Sequence, residues 1–278
     1  MTRSILITGC SSGIGLDAAR ALRARGWRVL ATCRAEADCE RLRGEGLESF
    51  ALDYADEGGV LAAAATALER TDGRLDATFH NGAYAIPGFI EDLPTDALRA
   101  IFEANFIGWH VLTRALLPAM RAHAAAGGGG RLVFCSSVLG FAPVRWRGAY
   151  VATKHALEGY ADVLRLELRG EPLRVSLIEP GPVATRFNEN ARAQFARWID
   201  RDASARRADY AAIDARYGEN AKENAFSLPP AAVTRKLVHA VESPRPKARY
   251  YVTTPTYAVA ALKRLAPRAA LDWLMAKQ

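Results

Sequence analysis

Residues 4–15 read SILITGCSSGIG: a short apolar run, then glycines at 9, 13 and 15, then the start of a helical pattern. Glycine suits such a junction because the chain must turn sharply, bring backbone N–H groups close to a pyrophosphate, and pack a helix tightly on the strand before it. The spacing differs from the common G-x-G-x-x-G fingerprint, so taken by itself the segment also reads as an ordinary glycine-rich turn. Its position at the first strand-to-helix junction of an alternating pattern favours the phosphate reading.

That alternation continues along the chain. Short apolar runs at 5–8, 28–33, 49–52, 77–80, 132–136, 174–178 and 249–252 are separated by helical patterns at 15–25, 57–70, 95–123, 149–168 and 230–241. Strands that are apolar throughout, with helices between them, predict an α/β fold: a doubly wound, Rossmann-type sheet of seven parallel strands with helices on both faces. The glycine run at 127–130 ends a long helix and leads straight into a strand, so it marks no domain boundary. Residues 1–278 are therefore read as one dinucleotide-binding domain. The polar, helical stretch 187–228 is inserted between the last two strands, where loops surround a ligand in such sheets, and is expected to be a substrate lid. Residues 255–278 form a C-terminal helical extension with a basic amphipathic look. It is read as packing on the domain or on another subunit, with contact to a membrane surface as the alternative.

Composition narrows the function classes. The 37 Lys and Arg against 30 Asp and Glu give +7, but the basic residues are scattered among acids, which argues against nucleic acid as a partner. Cys10, Cys33, Cys39 and Cys135 have neither the density of a disulfide framework nor a metal spacing, and His110, His123, His155 and His239 form no ligand group, so no metal is expected. His80, at the end of a buried strand, is read as a core histidine, with a general base as the alternative. With no leader-like segment and no apolar run of bilayer length, the expectation is a cytoplasmic protein without membrane insertion.

At the end of the second strand, where a dinucleotide-binding sheet carries an acid for the adenosine ribose, stands Cys33, followed by Arg34. A guanidinium can grip a 2′-phosphate that a carboxylate would repel, which points to NADP(H), with NAD(H) the less favoured cofactor. The alternative leaves Arg34 solvated and gives the ribose to Glu36 or Asp38. Further on, Tyr150 and Lys154 lie four residues apart in a helical stretch, hence on one face, and Ser136 and Ser137 end a strand. Together they offer a hydroxyl, a phenol and an ammonium at the ligand-binding edge of the sheet.

These residues, taken in order, resemble the short-chain dehydrogenase/reductase family over essentially the whole chain. The family's glycine motif corresponds to residues 8–15, which implies cofactor contacts from Gly9, Ser11, Ser12, Gly13, Ile14 and Gly15. Its adenine-contacting acid corresponds to Asp53. Its Asn-Asn-Ala-Gly motif looks like HNGA here, with Asn81 matching, Gly82 and Ala83 transposed, and His80 in place of the first asparagine. The resemblance implies a catalytic set of Asn105, Ser137, Tyr150 and Lys154, with nicotinamide contacts from Pro180, Gly181, Val183 and Thr185. TGCSSGIG with ATCR is also similar to hydroxysteroid and retinol dehydrogenase branches. A homodimer or homotetramer through the long helices is implied as well.

The implied chemistry has a physical basis. Hydride attack on a carbonyl leaves an alkoxide, which needs a proton donor and hydrogen bonds aimed at the developing charge. Tyr150 is expected to donate the proton, Ser137 to hold the oxygen, and Lys154 to lower the tyrosine pKa and hold the nicotinamide ribose. Asn105 is implied to hold a water that relays protons to Lys154. Tyr84, Phe141, Trp146 and Phe187 are expected to form an apolar wall, hence lipophilic ketones, aldehydes or alcohols as substrates. Other readings are a non-catalytic NADP(H)-binding regulator on the same fold, and an epimerase or dehydratase, for which no extra acid/base residues are evident.

Overall fold

The strands β1 (Ser4–Ile7), β2 (Arg28–Cys33), β3 (Glu48–Ala51), β4 (Ala77–His80), β5 (Arg131–Cys135), β6 (Arg174–Glu179) and β7 (Arg249–Tyr251) form one parallel sheet ordered β3-β2-β1-β4-β5-β6-β7. This computed structural model describes residues 2–217 and 225–276. Stretches of the expected lid (218–224) and of the C-terminal extension (277–278) lie outside the described residues. The seven strands fall where the apolar runs predict them. Those runs are apolar because the central strands are covered on both faces: β1 and β4 are buried along their whole length.

Strand order reverses between β1 and β4, which pair in register as Ile5 with Ala77 and Ile7 with Phe79. The carboxyl ends of β1 and β4, at Thr8 and Asn81, therefore mark the switch point of the sheet, the ligand position in such folds.

Around the sheet lie α1 (Gly13–Ala24), α2 (Glu36–Gly44), α3 (Glu57–Arg70), α4 (Thr95–Phe102), α5 (Gly108–Ala125), α6 (Gly148–Glu167), α7 (Phe187–Trp198), α8 (Tyr210–Tyr217), α9 (Ala231–Glu242), α10 (Thr254–Leu265) and α11 (Arg268–Ala276). α1 packs on α9, and α3 on α5. α2 has no counterpart in the sequence reading, because EADCERLRG buries only Cys39 and Leu42 and shows no apolar period. The helix expected over 95–123 is broken by a π turn at Glu103–Ile107. Gly108 follows it, and a Cβ there would lie 2.2 Å from the Tyr54 carbonyl oxygen. Gly127, with φ of 89°, ends α5.

Beside the main core, two smaller apolar clusters form. One joins Ala85, Ile86, Tyr150, Ile199 and Tyr210 across the segment after β6. The other sets α10 and α11, through Val259 and Met275, on Ala142 and its neighbours Val138, Phe141 and Val144.

Candidate active site

The glycine loop is shaped by contacts that no side chain could share. Gly9 and Gly13 have φ of 68° and 56°. A Cβ on Gly9 would meet the Cα of Gly82 at 2.7 Å, and one on Gly15 would meet the Gly9 carbonyl oxygen at 2.2 Å. Ser12 caps α1 without a side-chain hydrogen bond, so the first N–H groups of the helix are left for another acceptor. A cavity of about 470 Å³ opens there, lined among others by Ser12, Gly13, Asp17, Thr185 and Arg186. Ser11 and Ile14 complete the loop, half-buried. A cradle with free helix amides beside a cavity of this size fits the pyrophosphate of a dinucleotide.

Thr8 locks this loop to the end of β4. Its Oγ1 accepts from the Asn81 N–H at 2.9 Å and from the Tyr54 hydroxyl at 3.0 Å, while Asn81 Nδ2 donates to the Thr8 carbonyl at 3.2 Å. His80 turns away into the core, engaging Tyr54 at 3.0 Å and Thr113 at 3.3 Å and stacking on Phe134 with centroids 4.8 Å apart. Burial pushes its pKa down to about 3, so it is a neutral core residue. The substitution in the HNGA motif is thus absorbed by aromatic packing.

Asp53, expected to contact the adenine, is half-buried after β3 and accepts the Ala55 N–H at 3.0 Å. Arg34 is exposed after β2. The two acids that compete with it in the sequence are taken by arginines: Glu36 by Arg43 at 2.5 Å and Asp38 by Arg41 at 3.0 Å. Arg41 also donates to the Ser11 carbonyl at 2.7 Å, which brings a second guanidinium to the glycine loop. The sequence reading missed it because nothing in the charged α2 segment marks one arginine from its neighbours.

Ser137, Tyr150 and Lys154 come together at the carboxyl end of β5. Ser137 Oγ accepts the Leu139 N–H at 3.1 Å and donates to the Pro180 carbonyl at 3.5 Å. Tyr150 and Lys154 are buried on α6, one turn apart, and Lys154 Nζ lies 5.7 Å from the Tyr150 ring centroid. Burial pushes the Tyr150 phenol well up, and Cys135 adds to this; Ser137 and Arg147 oppose it. The Lys154 ammonium, expected to lower the phenol, donates to the Cys135 carbonyl at 2.8 Å. Arg147, one of the two groups that oppose the rise, is buried, donates to Asn188 at 3.2 Å and lies 5.9 Å from the Phe187 ring centroid. In RWRGAY nothing distinguishes this arginine from Arg145, which is why the sequence reading passed over it.

The π turn carries Asn105 inward until it is fully buried. Its amide clamps Tyr84 from both sides, donating to the Tyr84 carbonyl at 2.8 Å and accepting the Tyr84 N–H at 3.1 Å, and it reaches Thr153 at 3.3 Å. Just past β6, the Pro180 carbonyl accepts the Val138 N–H at 2.8 Å. Gly181 lets the chain pass Thr253, whose Oγ1 a Cβ would meet at 2.1 Å. Val183 bridges to Leu228, and Thr185 faces Gly13, so the Pro-Gly segment borders the glycine loop.

Tyr84, Trp146 and Phe187 converge beside Tyr150, with Phe187 edge-on to it at 5.3 Å between centroids. Phe141 does not join them. It packs on Tyr251 and the C-terminal helices instead. Trp146 holds a φ of 63°, a conformation unusual for a bulky residue and one that places its ring at this wall.

A profile described as short chain dehydrogenase matches residues 3–196. The chain belongs to the short-chain dehydrogenase family. It is an oxidoreductase of that family, 41% identical over 275 residues to the uncharacterized oxidoreductase YbbO of Escherichia coli K12, covering 99% of this chain and 94% of that one. It is similar to human retinol dehydrogenase 8, 34% identical over 202 residues that span 69% of this chain and 62% of that protein. Among solved structures, a short-chain dehydrogenase from Streptomyces avermitilis superposes with a TM-score of 0.77 at 25% identity, covering 98% of this chain and 95% of that one. Other solved structures of the same fold are complexes with NAD or with NADP. Among the described residues no group of metal-ligating side chains is present, and no helix is long and apolar enough to cross a membrane.

Proposed function

We propose that this dehydrogenase reduces lipophilic ketones or aldehydes, and oxidises the corresponding alcohols, with NADP(H). The observation that carries the reading is a buried phenol, Tyr150, one helical turn from buried Lys154 and beneath a wall of Tyr84, Trp146 and Phe187. A phenol whose pKa burial raises is protonated at ordinary pH, the form that reduction requires of its acid. The reduced nicotinamide supplies the hydride. Tyr150 passes its proton to the carbonyl oxygen, and Ser137 holds that oxygen as charge develops. Lys154, at the end of β5, is assigned to the nicotinamide ribose. Asn105, which clamps Tyr84 at the mouth, completes the set and is assigned the relay to Lys154.

For the cofactor, the glycine loop Gly9–Gly15, Asp53, Asn81, Gly82, Pro180, Gly181, Val183 and Thr185 are the proposed contacts. The preference for NADP(H) is supported by an exposed Arg34 and by the engagement of Glu36 and Asp38 with arginines. The aromatic wall supports an apolar substrate, and the likeness to a retinol dehydrogenase points the same way. Residues 1–278 act as one catalytic domain in this reading. The segment 187–228, whose Phe187 touches Tyr150, serves as its substrate lid. Exposed Val163 and Leu166 on α6 support a homodimer or homotetramer, and four buried free cysteines support a reducing, cytoplasmic setting.

The test is oxidation of NADPH and of NADH across aliphatic aldehydes, aromatic ketones, steroids, retinoids, sugars and 2-oxo acids. Higher kcat/KM for bulky apolar carbonyls with NADPH is the expected result. Cofactor binding without turnover on any of them would make the protein a sensor and sink the proposal.

A further inference from the structure

Two neighbouring serines follow β5, and the proposed chemistry uses only Ser137. Ser136 is buried beside it, and its hydroxyl donates to Oε1 of Glu158. Glu158 lies on α6 four residues beyond Lys154, as Lys154 lies four beyond Tyr150, so the three share one face of the helix. Successive residues at the end of the strand are thereby anchored to successive turns of α6: the Cys135 carbonyl by Lys154 at 2.8 Å, and the Ser136 hydroxyl by Glu158. The turn after Ser137 closes onto the second anchor, since a Cβ on Gly140 would meet Ser136 Oγ at 2.6 Å and Glu158 Oε1 at 2.8 Å. Glu158 is itself held. Its Oε2 accepts from Arg249 of β7, whose guanidinium also reaches Glu179 at 2.5 Å and Asp162 at 2.7 Å.

We propose that Glu158, fixed by Arg249, is a positioning residue for Ser137 and acts on it through Ser136. The inference rests on the proposed role of Ser137 as the group that holds the reacting oxygen. Stability alone does not call for a carboxylate here, because well-packed apolar side chains of the same volume often match or better a buried ion pair. A carboxylate does supply a directional acceptor, locked in place by its own partner. Backbone bonds from the Ser136 and Val138 N–H groups, to Ile178 at 2.7 Å and Pro180 at 2.8 Å, fix the segment to the β6 side of the site. Glu158 fixes it to the helix that carries Tyr150. That second tie sets the oxygen-holding hydroxyl relative to the proton donor, and a misplacement of about 1 Å in such a pair costs on the order of 10²-fold in rate.

The test compares Ser136→Ala, Glu158→Ala, Glu158→Gln and Ser137→Ala in the full chain, with NADPH and the carbonyl substrate turned over fastest in the panel above. Ser136→Ala and Glu158→Ala should each lower kcat about tenfold, short of the roughly 10²–10³-fold expected for Ser137→Ala, and leave the NADPH dissociation constant within about twofold of wild type. Glu158→Gln, whose amide can still bond to Ser136 and to Arg249, should recover to within about threefold. In a Ser137→Ala protein, adding Ser136→Ala should cost less than about twofold more, because the group it positions is gone. A Ser136→Ala kcat equal to wild type, or a loss that multiplies in full with that of Ser137→Ala, overturns the proposal. So does Glu158→Gln as slow as Glu158→Ala, which would mean that Glu158 acts by its charge on Lys154. Amide exchange over residues 136–142 needs no turnover: Ser136→Ala should speed it at least about fivefold, and unchanged exchange also overturns the proposal. Absence of turnover in wild type would sink the reading of the site, and the exchange would then decide whether Glu158 fixes this segment. If Glu158→Ala does not fold, Ser136→Ala, which leaves Glu158 paired with Arg249, carries the test.

Discussion

The ammonium of Lys154 donates to the carbonyl of Cys135 at 2.8 Å, and its Nζ stands 4.4 Å from the centroid of the Trp109 ring. A carbonyl dipole and a π face replace only some of the water this cation loses. Burial therefore pushes its pKa down to about 8 from 10.5, with Cys135 and Glu158 holding it from falling further. The folded protein pays for this group wherever it must stay charged. Below pH 8 both states are protonated and the full penalty, about 3 kcal/mol, is in force. Between pH 8 and 10.5 the unfolded chain binds the proton that the folded chain has lost, so this contribution to stability rises with pH. Lys154→Met removes the penalty. Its stability relative to wild type should be greatest near pH 7 and shrink toward pH 10, in urea titrations at both values. A difference that does not change with pH would contradict this account.

Removing the phenolic oxygen tests the proposed acid directly. Tyr150→Phe should lower the rate of carbonyl reduction by about 10²–10⁴-fold while leaving the NADPH dissociation constant within a few-fold of wild type. In the reverse direction the phenol must lose a proton that burial retains, so alcohol oxidation should keep rising toward alkaline pH. Arg147→Met removes a charge that holds the phenol down. That limb should then move to still higher pH. Turnover in Tyr150→Phe close to wild type would reassign the acid.

Much of the fold was legible because a sheet covered on both faces demands unbroken apolar runs, and this chain has seven of them. α2 was not, since its nine residues bury two side chains and present charge elsewhere. The site divides in the same way. Gly9, Gly13 and Gly15 could be read because each answers a backbone need that only glycine meets. Tyr150 and Lys154 could be read because a helix fixes their spacing. The clamp of Asn105 on Tyr84 was hidden, as it depends on a π turn that no residue type announces. The separation of Phe141 from the other three rings was hidden too, because it is decided by contacts with α10 and α11 that lie more than a hundred positions away.

In the proposed reading Arg34 sets the cofactor preference and Arg41 supports the glycine loop. Arg34 is exposed at the end of β2, and Arg41 reaches the glycine loop through the Ser11 carbonyl at 2.7 Å. Arg34→Asp should weaken NADPH binding by roughly 1.5–3 kcal/mol for each charge-assisted hydrogen bond lost, and should affect NADH much less. Arg41→Met should weaken both cofactors, because it frees the loop that cradles the pyrophosphate they share. Fluorescence titration of each cofactor separates the two effects. Tighter binding of NADH than NADPH by the wild-type protein would remove the basis for the first.

Glu179 is fully buried at the end of β6, one oxygen 2.5 Å from Arg249 Nη1 and the other without a hydrogen-bond partner. The same guanidinium also pairs with Glu158 and, at 2.7 Å, with Asp162, so one cation serves three carboxyls. Burial, reinforced by Glu158, raises the Glu179 pKa from 4.5 to about 8. The sign of its effect on stability follows from this. Between pH 4.5 and 8 the folded protein holds a proton that the unfolded chain has released, so stability falls as pH rises through that window. Glu179→Gln keeps an oxygen for Arg249 and cannot ionise. Its stability should therefore change less than that of wild type between pH 5 and pH 8, and it should overtake wild type at the upper end by a margin on the order of a few kcal/mol. Denaturant midpoints at pH 5, 6.5 and 8 measure both curves. Parallel curves would mean that Glu179 stays ionised across the window, with Arg249 compensating its charge in full.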